Sequence, residues 1–521
     1  MAQFYKKHAP LFLSVPALCF GIGMLIPFLY LAIRAFDVDI STLKDFVFRF
    51  RTFLLFRNTI ALTLCVCLLS TLIAVPVAWL VVCTDIKYKK ILSFLSVLPL
   101  AIPGYVMAFA LIGLGGYYGF MYQFFGIRFT RPEGLLGATL ALSLYIYPYM
   151  FLHVRSALRG LDPSLIETAR SFGYSQWEIT QKVVLPHLFP SLVSGWFVIG
   201  LYTLGDFGAV ALMRYDVFSS AIYNQYANGF ERHYASLYAL MLLSLSGIIL
   251  WLDSSFSRKR DLARTGTGVR RPIYPIPLGK LSVVAWCFLA LVHCASLILP
   301  ATAIIFWLSY KHDLMQWKMV WDSSLHTAVI AIPSAALAVL VALPVATLVT
   351  RYPSRKNALL DRIVYFCYAV PPLPFALAVV FFSLTTFPFI YQTLFLLMLS
   401  YALSFAALAM GPIKSRLLQS TGRLEEAARS LGYTQAEVFT RITLPFLQKS
   451  LLSGWLMVFL VIVKELPLVM LLSPSGYKTL AINVFHRTEE GMLVDAAPYA
   501  LLMVLFSGVF VGLTIIFEEK K

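Results

Sequence analysis

A chain of 521 residues that is 60% hydrophobic and 13% charged, with a mean hydropathy of +0.79, lies outside the range of water-soluble domains and reads as a bilayer protein. Its formal charge of +17 would suggest a nucleic-acid partner in a soluble protein; in a membrane protein the distribution of Lys and Arg among loops matters more than the total, and no nucleic acid is expected. A hydrocarbon core about 30 Å thick takes roughly 20 helical residues per crossing, so the length accommodates about a dozen crossings joined by short connections.

The first apolar run, Leu11 to Phe36 behind Lys6 and Lys7, is longer than a signal-peptide core and lacks a small-residue cleavage site, so it reads as a retained span. Further apolar runs lie near 54–83, 91–116, 135–154, 191–213, 235–256, 278–310, 325–350, 363–387, 392–413, 450–473 and 496–517. The expected fold is therefore all-α and integral to the membrane, with about twelve transmembrane helices. With the N-terminus inside, the inner loops collect Lys87, Lys89 and Lys90, then Arg155, Arg159, Arg170 and Lys182, then Arg351, Arg355 and Lys356, then Lys414, Arg416, Arg423 and Arg429. The outer loops are poorer and balanced, as in Asp37, Asp39 and Lys44, so both termini are expected to face the cytoplasm. The seven cysteines (Cys19, Cys65, Cys67, Cys83, Cys287, Cys294, Cys367) lie in or beside apolar runs without metal or redox spacing and read as buried apolar residues.

The chain contains an internal duplication. Glu167-Thr-Ala-Arg-Ser-Phe-Gly-Tyr-Ser-Gln-Trp-Glu178 returns 259 residues later as Glu426-Ala-Ala-Arg-Ser-Leu-Gly-Tyr-Thr-Gln-Ala-Glu437, and ten of the twenty positions from Glu167 to Pro186 are identical. Upstream, Thr59, Pro76, Ala78 and Pro103 match Thr327, Pro344, Ala346 and Pro371 at an offset of 268, which places nine extra residues of the first half in the outer loop around Gly115 to Gly134. Six crossings per half is an even number, so the two repeats run parallel and are related by an axis along the membrane normal. Residues 1–256 form the first repeat and 281–521 the second; 257–280, basic and rich in Gly and Pro, is the linker.

The duplicated block falls in an inner loop of each half, near 162–182 and 421–441. Asp162 is a plausible N-cap with Pro163 at the first helical position, Ser164 with Glu167 fits a capping box, and Gly173 supplies a stop. Ser175 with Glu178, and Thr434 with Glu437, start a second helix. Leu165, Ala169 and Phe172, like Leu424, Ala428 and Leu431, give each short helix an apolar face, which either packs at home or docks a partner.

These residues resemble the Glu-Ala-Ala loop of binding-protein-dependent ABC importer permeases. Glu426-Ala427-Ala428, Gly432 and Leu444-Pro445 match that pattern fully; Glu167, Ala169, Gly173 and Leu185-Pro186 match with Thr168 in place of one Ala. The resemblance implies the type I ABC importer permease fold, a bacterial inner (cytoplasmic) membrane location, and coupling helices that seat in two copies of an ABC ATPase, with Glu167, Ala169, Arg170, Gly173, Glu426, Ala427, Ala428, Arg429 and Gly432 as docking residues. It also implies a soluble substrate-binding protein. No Gly-x-x-x-x-Gly-Lys-Ser/Thr loop occurs, so the chain is expected to be no enzyme and to bind no cofactor of its own, ATP and Mg being used by the ATPase.

Two intramembrane carboxylates, Asp206 in Gly-Asp-Phe-Gly and Glu465 in Lys-Glu-Leu-Pro, are also 259 residues apart and hence symmetry mates. Helices starting near Ser191 and Ser450 would put each about 22 Å along, at 1.5 Å per residue. They are expected to line the translocation pathway and to hold a hard cation transiently; the alternatives are that Asp206 caps a broken helix and that Glu465 pairs with Lys464 at the interface. The flanking sequence, Tyr202 to Tyr215 and Val463 to Leu472, is similar to fused permeases of ferric-iron importers, an arrangement that thiamine and aminophosphonate importers share. Tyr145, Tyr147 and Tyr149 read as interfacial anchors. The different-class alternatives are an ion-coupled secondary transporter, which does not account for duplicated Glu-Ala-Ala loops, and a membrane enzyme acting on lipid, which would need a catalytic cluster.

Overall fold

The computed structural model describes residues 9–37, 39–229, 232–258, 275–310, 314–420 and 422–519; most of the linker, including Lys259, Arg260, Arg264, Arg270 and Arg271, lies outside them, as do Lys6, Lys7, Glu231 and Asp313. Among the described residues ten helices are long and apolar enough to cross a bilayer, and two further apolar segments are pairs of helices bent sharply on each other. All twelve expected spans are thus accounted for, but the third and ninth are not straight. Lys89–Ala101 meets Gly104–Leu114 at 93°, and Arg355–Ala369 meets Pro372–Thr386 at 105°. Each bend falls at one of the duplicated prolines, Pro103 and Pro371. A proline drives the residue before it out of the helical region, and Ile102 (φ −93°, ψ 118°) and Val370 (φ −70°, ψ 133°) are extended.

The fifth and eleventh spans also differ from expectation. They end at Gly205 and Lys464 and give way to short helices, Gly208–Leu212 and Pro467–Leu472, followed by Phe218–Asn228 and Leu480–Glu489. They begin earlier than Ser191 and Ser450: a helix that starts in each duplicated loop runs on into the membrane, as in Gln435–Lys464 (30 residues), about 45 Å long at 1.5 Å per residue. A five-residue π-turn interrupts each, at Thr180–Val184 and Phe439–Thr443, ahead of Leu185-Pro186 and Leu444-Pro445. The proline has no N–H to return to the preceding turn, and the ladder widens there. Leu299-Pro300 in the seventh span follows a third such turn, Cys294–Ile298.

Within each half the second, fourth and fifth spans pack on one another in the same arrangement. The first span of each half crosses to the other. Leu11–Phe36 packs on Leu314–Arg351 and Pro372–Thr386, with Phe28 against Phe375 at 5.6 Å, while Leu299–Ser309 packs on Gly104–Leu114. The repeats read from sequence are therefore interlocked in space. The outward surface is apolar, as at Leu64, Leu68 and Leu72, one helical face of the second span left exposed to lipid. Cys83 and Cys367 are buried as expected, but Cys19, Cys287 and Cys294 lie on this lipid-facing surface. At the end opposite the duplicated loops, 115–133 carries an extra helix, Phe120–Phe125, where the second half has the short turn Pro388–Ile390; this is the loop expected to hold the nine extra residues.

Candidate functional site

The breaks in the third, fifth, ninth and eleventh spans converge on one cavity of about 300 Å³ between the halves. Pro103, Gly104 and Asp206 line it, as do Pro371, Pro372 and Glu465. The sequence-predicted carboxylates thus face the same space, and the duplicated prolines explain why: each bend carries backbone, not side chains, to the axis. Gly104 is required for that approach, since a Cβ there would lie 2.9 Å from Asp206 Oδ2 and 2.6 Å from the Tyr145 ring.

Both carboxylates are held in the same manner. Asp206 Oδ1 accepts the amides of Ala209 (2.9 Å) and Val210 (3.4 Å) at the start of the short helix beyond it, and Oδ2 accepts the Tyr145 hydroxyl at 3.1 Å. Glu465 accepts the Leu468 amide at 3.0 and 3.1 Å and the Tyr401 hydroxyl. Tyr145 and Tyr401 precede their carboxylates by 61 and 64 residues, about one helical turn apart in register. The capping alternative for Asp206 is therefore present together with the cavity position. The Lys464 alternative for Glu465 is not: Lys464 Nζ reaches across to donate to the Leu100 carbonyl at 2.8 Å. Among the described residues no group of three His, Cys, Asp or Glu could hold a metal ion.

The tyrosines correct a further expectation. Tyr145 and Tyr149 line the cavity rather than anchoring an interface, and Tyr147 is fully buried. Tyr149 stacks on Tyr202 with centroids 4.5 Å apart, and the Tyr202 hydroxyl meets that of Tyr368 at 3.0 Å across the halves. Sequence reasoning missed Tyr202 and Tyr368; the available signal was position, four residues before Asp206 and three before Pro371.

At the far end of the continuous helices lie the duplicated loops. The short helices are Pro163–Ser171 and Arg423–Ser430. Asp162, not Ser164, is the first N-cap, its Oδ1 accepting the Ser164 amide at 3.0 Å. Both helices stop in a Schellman turn: Gly173 (φ +82°) donates to the Arg170 carbonyl and Tyr174 to that of Ala169, as Gly432 (φ +90°) does to Arg429 and Tyr433 to Ala428. The capping boxes at Ser175/Glu178 and Thr434/Glu437 form with identical geometry, side chain to amide at 3.0 Å and amide to hydroxyl at 3.3 Å.

The expected apolar face is split. Ala169 and Ala428 turn inward and are buried, whereas Leu165, Phe172, Leu424 and Leu431 are 46–79% exposed beside Glu167, Glu426 and Ala427. Arg429 is half-buried and donates to the Tyr352 hydroxyl at 3.1 Å. The undersides differ between halves. In the second, Arg351 donates to Glu425 at 2.9 Å and to the Ser420 carbonyl at 3.1 Å. The equivalent positions in the first are Cys83 and Ile166, and the space is closed by Ile276 from the end of the linker, which exchanges backbone hydrogen bonds with Cys83 and Asp85.

The family described as binding-protein-dependent transport system inner membrane component matches twice, over residues 70–261 and 336–519. The chain is 29% identical over 511 residues to the Fe(3+)-transport system permease protein FbpB 2 of Haemophilus influenzae, covering 96% of this chain and 97% of that one. It is 21% identical over 434 residues to the ferric transport system permease protein FbpB of Actinobacillus pleuropneumoniae, covering 79% and 63%. The molybdenum transport system permease protein ModB of Escherichia coli is 32% identical over 160 residues, 29% of this chain and 69% of that protein.

Proposed function

This chain belongs to the family of binding-protein-dependent transport system inner membrane components, and from that premise we propose that it is the permease through which ferric iron, delivered by a soluble binding protein, enters the cell. It is a transport subunit with the type I ABC permease fold, two repeats fused in one polypeptide, and this membership sets aside the ion-coupled secondary transporter. The observation that carries the cargo is the cavity: two symmetry-related carboxylates, oriented by backbone amides and tyrosine hydroxyls, offer hard oxygen atoms to one space, the donor type a trivalent cation prefers. The end-to-end similarity to a ferric permease supports the same reading; the molybdenum relative covers 29% of the chain and supports the importer class.

In this reading Glu167, Ala169, Arg170, Gly173, Glu426, Ala427, Ala428, Arg429 and Gly432 seat the two loops in two ATPase copies, which use the ATP and Mg. The exposed Leu165, Phe172, Leu424 and Leu431 supply the apolar contact, since a protein surface keeps such a patch only for a partner or the membrane. Both termini and the linker face the cytoplasm. Movement of either loop is passed along a helix of about 45 Å to the carboxylate at its other end. The test is uptake by iron-starved cells lacking this permease and complemented with it. Restored uptake of radioactive ferric iron is expected; restored thiamine or aminophosphonate uptake without ferric uptake would overturn the cargo while keeping the importer.

A further inference from the structure

Next to the cavity that holds the carboxylates is a second cavity of about 470 Å³ bounded by Tyr365, Gly411, Pro412, Ser415 and Ser453. It lies toward the docking loops: the tenth span, Leu394–Gln419, ends just before the docking helix, and Ser415 sits about one turn from that end. Tyr368 lines both cavities. Its hydroxyl is 3.0 Å from that of Tyr202, which lies four residues on the docking-loop side of Asp206. At the symmetry-related positions stand Leu100 and Val461, and there the halves are joined by Lys464 donating to the Leu100 carbonyl.

We infer that Tyr202 and Tyr368 are the inner gate of the pathway, the pair that cargo parts on leaving the carboxylates. This rests on the reading of the loops as ATPase-docking elements. Tyr202 stands on the helix that continues from the Ser175/Glu178 capping box, whereas Tyr368 stands one turn before the bend at Pro371, so the two hydroxyls belong to elements of different halves. Tyr149, stacked on Tyr202, braces one side of the gate from the fourth span. A single neutral hydrogen bond between two phenols joins the halves here without locking them. The device is asymmetric. One of the two equivalent contacts is phenol to phenol, while the other is ammonium to carbonyl.

The test measures access rather than transport. In inside-out membrane vesicles carrying an otherwise cysteine-free permease, a reporter thiol is introduced by Leu466→Cys, which lines the upper cavity beside Glu465, and its reaction with a membrane-impermeant cationic thiol reagent added at the docking-loop side is timed. Tyr202→Phe and Tyr368→Phe should each speed the reaction about fivefold, the effect of one lost hydrogen bond. The double Phe variant should be no faster than either single one, because both remove the same bond. Tyr368→Ala should be faster still, and Tyr365→Phe, which lines only the lower cavity, should match the parent. Unchanged rates in Tyr368→Ala, or a double Phe effect equal to the product of the singles, would overturn the gate. The assay needs neither ferric iron nor a binding protein, so failure of the cargo proposal leaves its outcome intact.

Discussion

Asp206 and Glu465 do two jobs that a charge-neutral substitution separates. Each caps the short helix that follows it, and a side-chain oxygen suffices for that; Asn and Gln keep one. Each also presents an ionisable carboxyl group to the cavity, which Asn and Gln lack. Asp206→Asn/Glu465→Gln is therefore expected to fold and to retain its ATPase, losing no more than about 1 kcal/mol of stability, while ATP-driven ferric uptake falls tenfold or more. Uptake at the parental rate in membranes with equal permease content would remove the carboxylates from the pathway. These two residues were legible because a carboxylate inside an apolar run is costly and the 259-residue offset paired them. Tyr145, Tyr149, Tyr202 and Tyr368 were not: a tyrosine near a span end has the same sequence appearance at a lipid interface and at a cavity wall, and only the bends decide between them.

At the scale of elements, local chemistry was the most legible part. The stop at Gly173 and the capping boxes at Ser175 and Thr434 depend on residues within one turn of each other, and they form as read, while the Ser164/Glu167 box gives way to Asp162 as the cap. Hydropathy counts apolar residues without regard to chain direction, so it found the third and ninth spans but not their bends; the duplicated Pro103 and Pro371 were the available signal. The short helices of the duplicated loops offer a contrast between the halves. Arg351 and Glu425, with side chains 10% and 13% exposed, form an ion pair under the second helix where the first half has Cys83 and Ile166. Removing one partner leaves a buried charge unpaired, so Glu425→Leu should cost about 3 to 5 kcal/mol and lower the thermal midpoint of the purified permease. Arg351→Cys/Glu425→Ile, which copies the first half, should recover most of that loss. A double variant no more stable than Glu425→Leu would show that the pair is not what holds the helix.

At the scale of the molecule, parallel duplication was read from the sequence, but interlocking was not. No local pattern states that Leu11–Phe36 packs on the second half or that Leu299–Ser309 packs on the first; that choice is made by surface complementarity between distant helices. It has a consequence for the linker. Because each half completes the other, the covalent joint is expected to be dispensable once folding is done: cleavage at a protease site inserted within 259–274 should leave the fragments migrating together in detergent. Separation of the halves after cleavage would contradict the interlocked packing.

In the proposed importer, transport is driven through both duplicated loops. Glu167 and Glu426 are exposed, so Glu167→Ala/Glu426→Ala is a surface change that costs little folding stability, within about 0.5 kcal/mol. The most direct measurement is radioactive ferric-iron uptake in iron-starved cells lacking this permease, complemented with the parent chain or with this double variant, with ATPase co-purification recorded for both. The parent should restore uptake and bring down the ATPase, and the variant should do neither at equal membrane abundance. Full uptake by the variant, with the ATPase still bound, would contradict the assignment of these loops as the point where ATP hydrolysis enters the transport cycle.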